Sequence, residues 1–423
     1  MPSSTSPLAA RKQRLRWLIQ VALAAVIALH AWAFLALRKN VREGYADFSI
    51  FYTAGKCIAK GLAPQMYDVA TEERLQRDFI SPAKIAQGPL PYTHPPFEAP
   101  LFVPLTLFSY VTAYSVWNAI TLALLLGFVL LMRPYLPHLR NWSEALPFLM
   151  ALAFFPVFLC RFEGQDSVLL LFFFALFYVN LKRGHEFAAG MCLGLALFRF
   201  QLVLPVAAVA LLRRKWGLLT GTAVVGIALA GISLAVVGWN SLWNYPHQLW
   251  WVYRLWELSP GGGGALNPAY MPNFRGLTFV LAGDGPAAHL LTTLVSLCLV
   301  GFAAWKWKAD PREPGFDLGF ALTVAVAVMV SFHLNAYDLT LLLIPVLLAG
   351  EWVVQGARRN VLPSRLLQVA IALLFLSPLW FRYRYEALFW AMLIAGLGLA
   401  FGREQDREMA LAGGAQTSKR TGM

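Results

Sequence analysis

Long runs of apolar residues, interrupted by short polar or basic segments, recur along most of the chain. The runs are Trp17–Leu37, Tyr110–Leu131, Ala145–Leu159, Val168–Leu181, Trp216–Val237, Ala287–Trp305, Phe320–Phe332, Leu339–Trp352, Leu366–Trp380 and Ala387–Phe401. Runs of this kind are typical of helices that cross a bilayer, since a spanning helix needs about 20 mainly apolar residues. The pattern predicts an all-α polytopic membrane protein with about 11–13 transmembrane helices.

Basic residues cluster at the ends of these runs and predict the orientation of the chain. The clusters are Arg11–Arg16, Lys182–His185, Arg213–Lys215, Lys306–Lys308 and Arg358–Arg359. By the positive-inside rule they face the cytoplasm. The net charge of +13 therefore reflects topology, and nothing resembles the soluble basic surface of a nucleic-acid-binding protein. No nucleic acid is expected as a partner.

The first two basic clusters after residue 180 are separated by only one short apolar stretch. We expect two short helices that form a hairpin, with the segment Phe198–Gln201 (FRFQ) at its apex. Both clusters can then lie on the cytoplasmic side. Arg199 would lie deep in the protein or near its outer face.

The resulting topology divides the chain into three parts. Residues 1–16 form a basic cytoplasmic N-terminus, residues 17–401 an integral membrane domain, and residues 402–423 a disordered cytoplasmic tail. The first apolar run is too long for a typical cleaved signal peptide and is predicted to be retained. The domain has a first external loop at 38–94, with amphipathic segments expected as interfacial helices, and a second at 238–284.

Polar residues fall repeatedly on the predicted external side. They are Asp47, His94, Arg161, Glu163, Gln165, Arg275, His333, Asn335 and Asp338, with Arg199 at the hairpin apex. Ionisable groups at membrane depth are costly and usually face a cavity or a partner. We therefore predict a polar site that opens outward.

Structural roles remain open for each of these residues. Asp47 could be the N-cap of a helix that begins at residue 48 or 49, and Arg199 could pair with a buried acid. His94, His333 and Asp338 could cap turns or helix ends. The tryptophan-rich segment Trp239–Trp256 is expected to belong to an interfacial aromatic belt.

Motifs for soluble cofactors and metals are missing from the sequence. It has no P-loop, dinucleotide fingerprint, HExxH or DxD motif, and Cys57, Cys160, Cys192 and Cys298 lack metal-binding spacing. We predict no cofactor and identify no metal-binding residues; the sequence leaves open whether a metal is required. An enzyme of this kind would take its activated donor from the membrane. A lipid-phosphate donor fits, with its phosphate held by Arg199, Arg275 or Lys56.

Several segments resemble glycosyltransferase family 87, whose members are polyprenol-phosphate-mannose-dependent α-mannosyltransferase-like membrane proteins. The first loop carries the most specific likeness, in DFSIFYTAGKCIAKGLAPQMYD (Asp47–Asp68) and YTHPPFEAPLFVPLTLF (Tyr92–Phe108). Further matches follow in order: EGQDSVLLL; LFRFQLVLP, where Arg199 stands in place of the usual Lys; PNFRGL, where the usual Ser is replaced; and SFHLNAYDLTLLLIP in altered form.

The resemblance implies a GT-C-type fold and a catalytic base at Asp47. It implies inverting hexosyl transfer, with mannose the first candidate, from a polyprenyl-phosphate sugar to a glycolipid or glycan acceptor. The expected location is the bacterial inner membrane, with the active site facing the periplasm or the cell exterior. Polyprenyl phosphate leaves as a stable anion, so one base and a phosphate-binding cation suffice. The substrate-binding candidates are Phe51, Tyr52, His94, Glu163, Gln165, Gln201, His333, Asn335, Tyr337 and Asp338.

Two other functional classes remain as alternatives. A transporter or flippase for a lipid-linked or polar solute would suit the Arg199 hairpin, but it predicts internal repeats, and none is clear. A non-catalytic membrane scaffold would not explain the external polar residues. A lipid-linked glycosyltransferase is the leading hypothesis.

Overall fold

A computed structural model of the chain describes residues 7–44, 46–81, 90–258, 267–308, 310–313, 315–356, 362–377 and 391–402. The predicted disordered tail lies outside these residues except for Gly402. The basic pair at 358–359 also lies outside them. Within the described residues, all regular secondary structure is helical.

The α-helices, numbered in chain order, are α1 Pro7–Ala36, α2 Arg38–Arg42, α3 Phe48–Ala59, α4 Val69–Ile80, α5 Tyr110–Met132, α6 Pro137–Trp142, α7 Leu146–Ala153, α8 Phe155–Glu163, α9 Ser167–Lys182, α10 Glu186–Leu195, α11 Phe200–Leu212, α12 Trp216–Leu258, α13 Phe274–Ala282, α14 Pro286–Lys306, α15 Phe316–Val330, α16 Leu343–Gln355, α17 Leu362–Phe375 and α18 Ala391–Gly402. Short 3₁₀ helices occupy Pro96–Phe102, Leu197–Arg199 and Ala336–Leu342, among others.

Membrane-spanning helices are evident from length and composition. Five helical segments in the described residues are long and apolar enough to cross a bilayer, or up to seven if each of two bent helix pairs is one span. Four shorter apolar helices add to these: α9, α15, α17 and α18. The prediction of an all-helical, multi-pass membrane protein is confirmed.

The predicted hairpin is present as helices α10 and α11, which meet at an angle of 62°. Lys215, just after α11, forms an ion pair with Glu186, at the start of α10, with Nζ 2.6 Å from Oε1. The two basic clusters therefore lie together, as predicted. Arg199 lies at the break between the helices, at the other end of the hairpin.

Helix α12 continues into the segment predicted as the second external loop. At about 1.5 Å per residue, its 43 residues would exceed the thickness of a bilayer core. The helix is broken at Gly238, whose φ of 76° and ψ of 170° suit a residue without a side chain. The tryptophan-rich segment that follows the break is helical.

The described residues of the predicted first external loop, 38–94, fold onto the protein around helix α3. Phe48, Phe51 and Tyr52 are almost fully buried, and Phe51 stacks on Phe102 with ring centroids 4.6 Å apart. A Cβ at Gly55 would lie 2.9 Å from the Phe102 carbonyl oxygen, so this contact requires glycine. The loop thus forms its own aromatic core, and this core fixes the start of α3, where Asp47 lies.

Candidate functional site

Asp47 precedes helix α3 but does not cap it. Its side chain makes no hydrogen bond to the first turn. Instead, Oδ2 accepts a hydrogen bond of 2.7 Å from Nε2 of Gln165. The structure therefore rules out the N-cap role that the local sequence left open and directs the carboxylate toward another part of the chain.

Gln165 connects Asp47 to Arg199. Its Nε2 donates to Asp47, and its Oε1 accepts a hydrogen bond of 2.5 Å from Arg199 Nη2. Gln165 is almost fully buried, so neither of these bonds competes with bulk water. One amide group thereby fixes the position of a carboxylate relative to a guanidinium.

Arg199 is buried among acidic and aromatic groups. Its Nε donates to Asp166 Oδ1 at 2.9 Å, its Nη2 also pairs with that oxygen, and its Nη1 lies 3.6 Å from Asp338 Oδ1. Its guanidinium lies 5.5 Å from the centre of the Tyr337 ring. The structural alternative for Arg199, pairing with a buried acid, is therefore confirmed. That pairing also orients the guanidinium.

Asp338 has the helix-capping role considered in the sequence. Its Oδ2 accepts a hydrogen bond of 2.9 Å from the backbone N–H of Asn335, at the start of the 3₁₀ helix Ala336–Leu342. Its Oδ1 accepts a second, also of 2.9 Å, from Ser167 Oγ. These bonds hold the segment of Asn335 and Tyr337 against the start of α9.

A cavity of about 300 Å³ opens beside these groups. Eight of the predicted site residues line it: Asp47, His94, Gln165, Arg199, Gln201, His333, Asn335 and Tyr337. Apolar residues complete the wall, among them Ile50, Phe198, Phe200, Leu249, Trp250 and Phe332. A carboxylate and a guanidinium thus face one largely apolar cavity.

Burial changes the protonation of the groups around the cavity that lie outside the spanning helices. It raises the pKa of Asp47 above its usual range, although the hydrogen bond from Gln165 and the charge of Arg199 oppose the shift. It lowers the pKa of His333 to about 4, so this imidazole is neutral near pH 7. Asp47 is therefore a stronger base, once ionised, than an exposed aspartate.

A second cluster adjoins Arg199 and consists of His94, Glu98 and Asp166. His94 Nδ1 lies 2.7 Å from Glu98 Oε2 and 3.6 Å from Asp166 Oδ2. Burial lowers the pKa of His94 to about 3 and raises the pKa values of Glu98 and Asp166 to about 7 and about 6. The cluster therefore combines a neutral imidazole with two carboxyl groups in contact.

Six predicted site residues do not line the cavity: Phe51, Tyr52, Lys56, Glu163, Arg275 and Asp338. Lys56 Nζ donates to the Thr106 carbonyl oxygen at 3.0 Å, and Arg275 Nη1 donates to the Phe332 carbonyl oxygen. Glu163 Oε2 lies 3.4 Å from the Asp47 backbone nitrogen, which donates to it. Their assignments to donor or substrate binding remain predictions.

Sequence reasoning missed Glu98 and Asp166. Asp166 lies within the EGQDS segment, next to Gln165, and occupies the N-cap position of α9. Its side chain makes no capping bond there. Glu98 lies in a proline-rich stretch with no recognisable site motif. Residues 94 and 166 are too far apart in the chain for any spacing rule to connect them.

Comparison with known proteins gives one family and two individual matches. The sequence model of glycosyltransferase family 87 matches residues 92–332, more than half of the chain. A polyprenol-phosphate-mannose-dependent alpha-(1-2)-phosphatidylinositol pentamannoside mannosyltransferase of Mycobacterium tuberculosis (strain CDC 1551 / Oshkosh) is 25% identical over 287 residues. That alignment covers 66% of this chain and 62% of the relative, so the chain matches less than two thirds of that protein's length.

The solved structure is that of ArnT from Cupriavidus metallidurans in the apo state. It is 15% identical, with 88% of this chain and 76% of that chain covered and a TM-score of 0.32. This likeness is too low to carry an argument about the fold. The family match covers the α10–α11 hairpin with Arg199 and ends at Phe332, just after α15. The chain belongs to glycosyltransferase family 87.

Proposed function

We propose that this membrane glycosyltransferase-family protein transfers a hexose, mannose first, from a polyprenyl phosphate to a glycolipid or glycan acceptor. The observation that carries the proposal is the bridge Asp47–Gln165–Arg199 at the wall of one cavity. It provides a base for the acceptor and a cation for the leaving phosphate at a fixed separation. The mycobacterial relative is a polyprenol-phosphate-mannose-dependent mannosyltransferase, which supports mannose and a polyprenol carrier as the first candidates here.

In this mechanism, Asp47 takes the proton from the acceptor hydroxyl as that oxygen attacks the anomeric carbon. The bond between this carbon and the phosphate oxygen breaks on the opposite face, so the configuration inverts. The raised pKa of Asp47 favours this role because a more basic carboxylate accepts a proton more readily. Polyprenyl phosphate leaves as an anion and needs no general acid.

Arg199 stabilises the charge that develops on the leaving phosphate. Its guanidinium is held by Asp166 and Gln165, so little reorganisation is needed during the reaction. The apolar part of the cavity wall suits the prenyl chain near the phosphate. We propose that the reaction takes place on the extracytoplasmic face of a bacterial inner membrane, where the positive-inside rule places Asp47.

A transfer assay tests the proposal. The chain, purified in lipid nanodiscs, is incubated with an acceptor lipid extract and polyprenyl phosphates of mannose, glucose, galactose or arabinose in separate reactions. Mass spectrometry of the lipids should show a sugar added from one donor, most strongly with mannose. If all four donors are unused while the protein remains folded, the proposed donor class is wrong.

A further inference from the structure

The three side chains of the His94 cluster converge on one point. One ligand atom from each of His94, Glu98 and Asp166 can be chosen so that all lie within 4.8 Å of one another. Adjacent ligands of a six-coordinate cation are about 3 Å apart for metal–ligand bonds near 2.1 Å. The 2.7 Å and 3.6 Å separations at His94 Nδ1 therefore need only small side-chain adjustments.

Two oxygen atoms of this cluster are left without hydrogen-bond partners. They are Glu98 Oε1 and Asp166 Oδ2, and both side chains have an exposed fraction of 0%. A buried carboxylate oxygen without a donor is costly, because it loses its hydration and gains nothing in return. Two unsatisfied carboxylate oxygens beside an imidazole nitrogen are an arrangement that a bound cation would stabilise.

The charges around the cavity point the same way. Four carboxyl groups are linked to Arg199 by direct contact, through Gln165 or through the His94 cluster: those of Asp47, Glu98, Asp166 and Asp338. Among the described residues, Arg199 is the one buried guanidinium of this group. A phosphate donor would add further negative charge to this set. A cation is needed to offset the excess, unless the carboxyl groups are protonated.

We propose that His94, Glu98 and Asp166 bind one divalent cation at the wall of the cavity, beside Arg199. One imidazole nitrogen and two carboxylate oxygens form a donor set suited to Mn²⁺ or Zn²⁺, with positions left for water or a phosphate oxygen. Asp166 would serve two positive groups, the cation through Oδ2 and Arg199 through Oδ1. The cation would neutralise the excess acid and, if the proposed function is right, help to hold the donor phosphate.

The competing explanation is a proton shared between Glu98 and Asp166. A shared proton also satisfies one carboxylate oxygen, and the raised pKa of each group permits it. The two explanations differ in a direct way. The cation predicts stoichiometric metal binding by the purified protein, whereas the shared proton predicts none.

Mn²⁺ binding to the purified chain in nanodiscs decides between them, and it is measured without any transfer assay. After EDTA treatment and dialysis, Mn²⁺ is titrated and the free ion is followed by electron paramagnetic resonance. We expect one tightly bound ion per chain, and Zn²⁺ should compete with it. If wild-type protein binds no Mn²⁺ or Zn²⁺ stoichiometrically, the proposal is overturned and the shared proton is favoured.

Variants then locate the site. Glu98→Gln keeps the size of the side chain and should weaken Mn²⁺ binding at least about 10-fold. His94→Gln gives a second, independent test if the first variant folds poorly. Asp284→Asn is a matched control, because Asp284 lies 2.9 Å from His289 Nε2 in an exposed pair away from the cluster. Unchanged binding in Glu98→Gln and His94→Gln would place the ion elsewhere and overturn the assignment.

Discussion

Helices α3 and α4 of the first loop both follow an aspartate, and the two aspartates are used differently. Asp68 caps α4 in the ordinary way: its Oδ2 accepts from the Thr71 backbone N–H at 3.0 Å and from Thr71 Oγ1 at 2.7 Å. Asp47, at the same position relative to α3, makes no such bond. Its carboxylate meets Gln165, which lies 118 residues later in the chain.

The comparison shows how a functional side chain can be recognised. A capping aspartate stabilises its helix by about 0.5–2 kcal/mol, and Asp47 gives up this contribution. The Asp47 carboxylate is also buried, and this burial raises its pKa. Asp68 makes the locally favourable capping bond, whereas Asp47 does not. Departures of this kind from local preference are expected at functional sites.

The largest effect is expected from Asp47→Asn, which tests whether Asp47 acts as the catalytic base. Transfer should fall by about 10²–10⁴-fold in kcat, because an amide cannot take the proton of the acceptor hydroxyl. Thermal unfolding should change little, since no capping bond is lost and the amide oxygen of the new side chain still accepts from Gln165. Asp78→Asn, which alters an exposed carboxylate of α4, is the control and should keep full activity. An active Asp47→Asn enzyme would exclude Asp47 as the base.

The next largest effect is expected from Arg199→Gln. Loss of a charge-assisted contact to phosphate should raise the donor KM by about 10–100-fold and leave the acceptor KM unchanged. Removing Arg199 also leaves Asp166 unpaired, which destabilises the fold. Arg199→Lys controls for this, because it keeps a positive charge beside Asp166. The assignment fails if the donor KM of the Gln variant equals that of the wild type.

Gln165→Leu removes the hydrogen bond to the Asp47 carboxylate, a long-range contact that distinguishes Asp47 from the helix cap Asp68. Without the bridging amide, kcat/KM should fall by about 10-fold through misplacement of the base. The hydrogen bond from Gln165 lowers the pKa of Asp47, so its loss raises that pKa further. The acid limb of the kcat/KM profile should therefore move to higher pH, because Asp47 must be ionised to act. The other ionisable groups that face Asp47 are Arg199, Glu163, Tyr337 and Asp338, and the variant keeps all four. An unshifted profile would leave Gln165 a merely structural role.

The sequence was sufficient for the architecture and for part of the site. Apolar runs predicted the all-helical membrane fold, and basic clusters predicted the α10–α11 hairpin that carries Arg199. These features follow from the local pattern because the bilayer imposes it. The motif DFSIFYTAG pointed to Asp47 through family resemblance, whereas its local context equally suited a helix cap.

The contacts among distant segments could not be predicted from the sequence. Gln165 bonds to both Asp47 and Arg199, and His94 meets Asp166, only because the loop core, the start of α9 and the hairpin pack together. Lys56 shows the opposite case. Its positive charge suggested phosphate binding, which stays a prediction; its ammonium group donates to the Thr106 carbonyl oxygen and does not line the cavity. Tertiary packing decides which of several similar polar residues faces the cavity.

The smallest effect is expected from Asp68→Ala, which removes the cap of α4. Loss of the cap on α4 should lower the free energy of unfolding by about 0.5–2 kcal/mol, as measured by thermal unfolding in nanodiscs. Activity of the folded protein should remain unchanged, because Asp68 bonds to Thr71 and does not line the cavity. Asp68→Asn, which can still cap, should recover most of the stability. The variants Asp47→Asn and Asp68→Ala should therefore have opposite effects. The first should lower activity with little change in stability, and the second should lower stability with no change in the activity of the folded protein. A loss of transfer in the folded Asp68→Ala protein would remove that distinction.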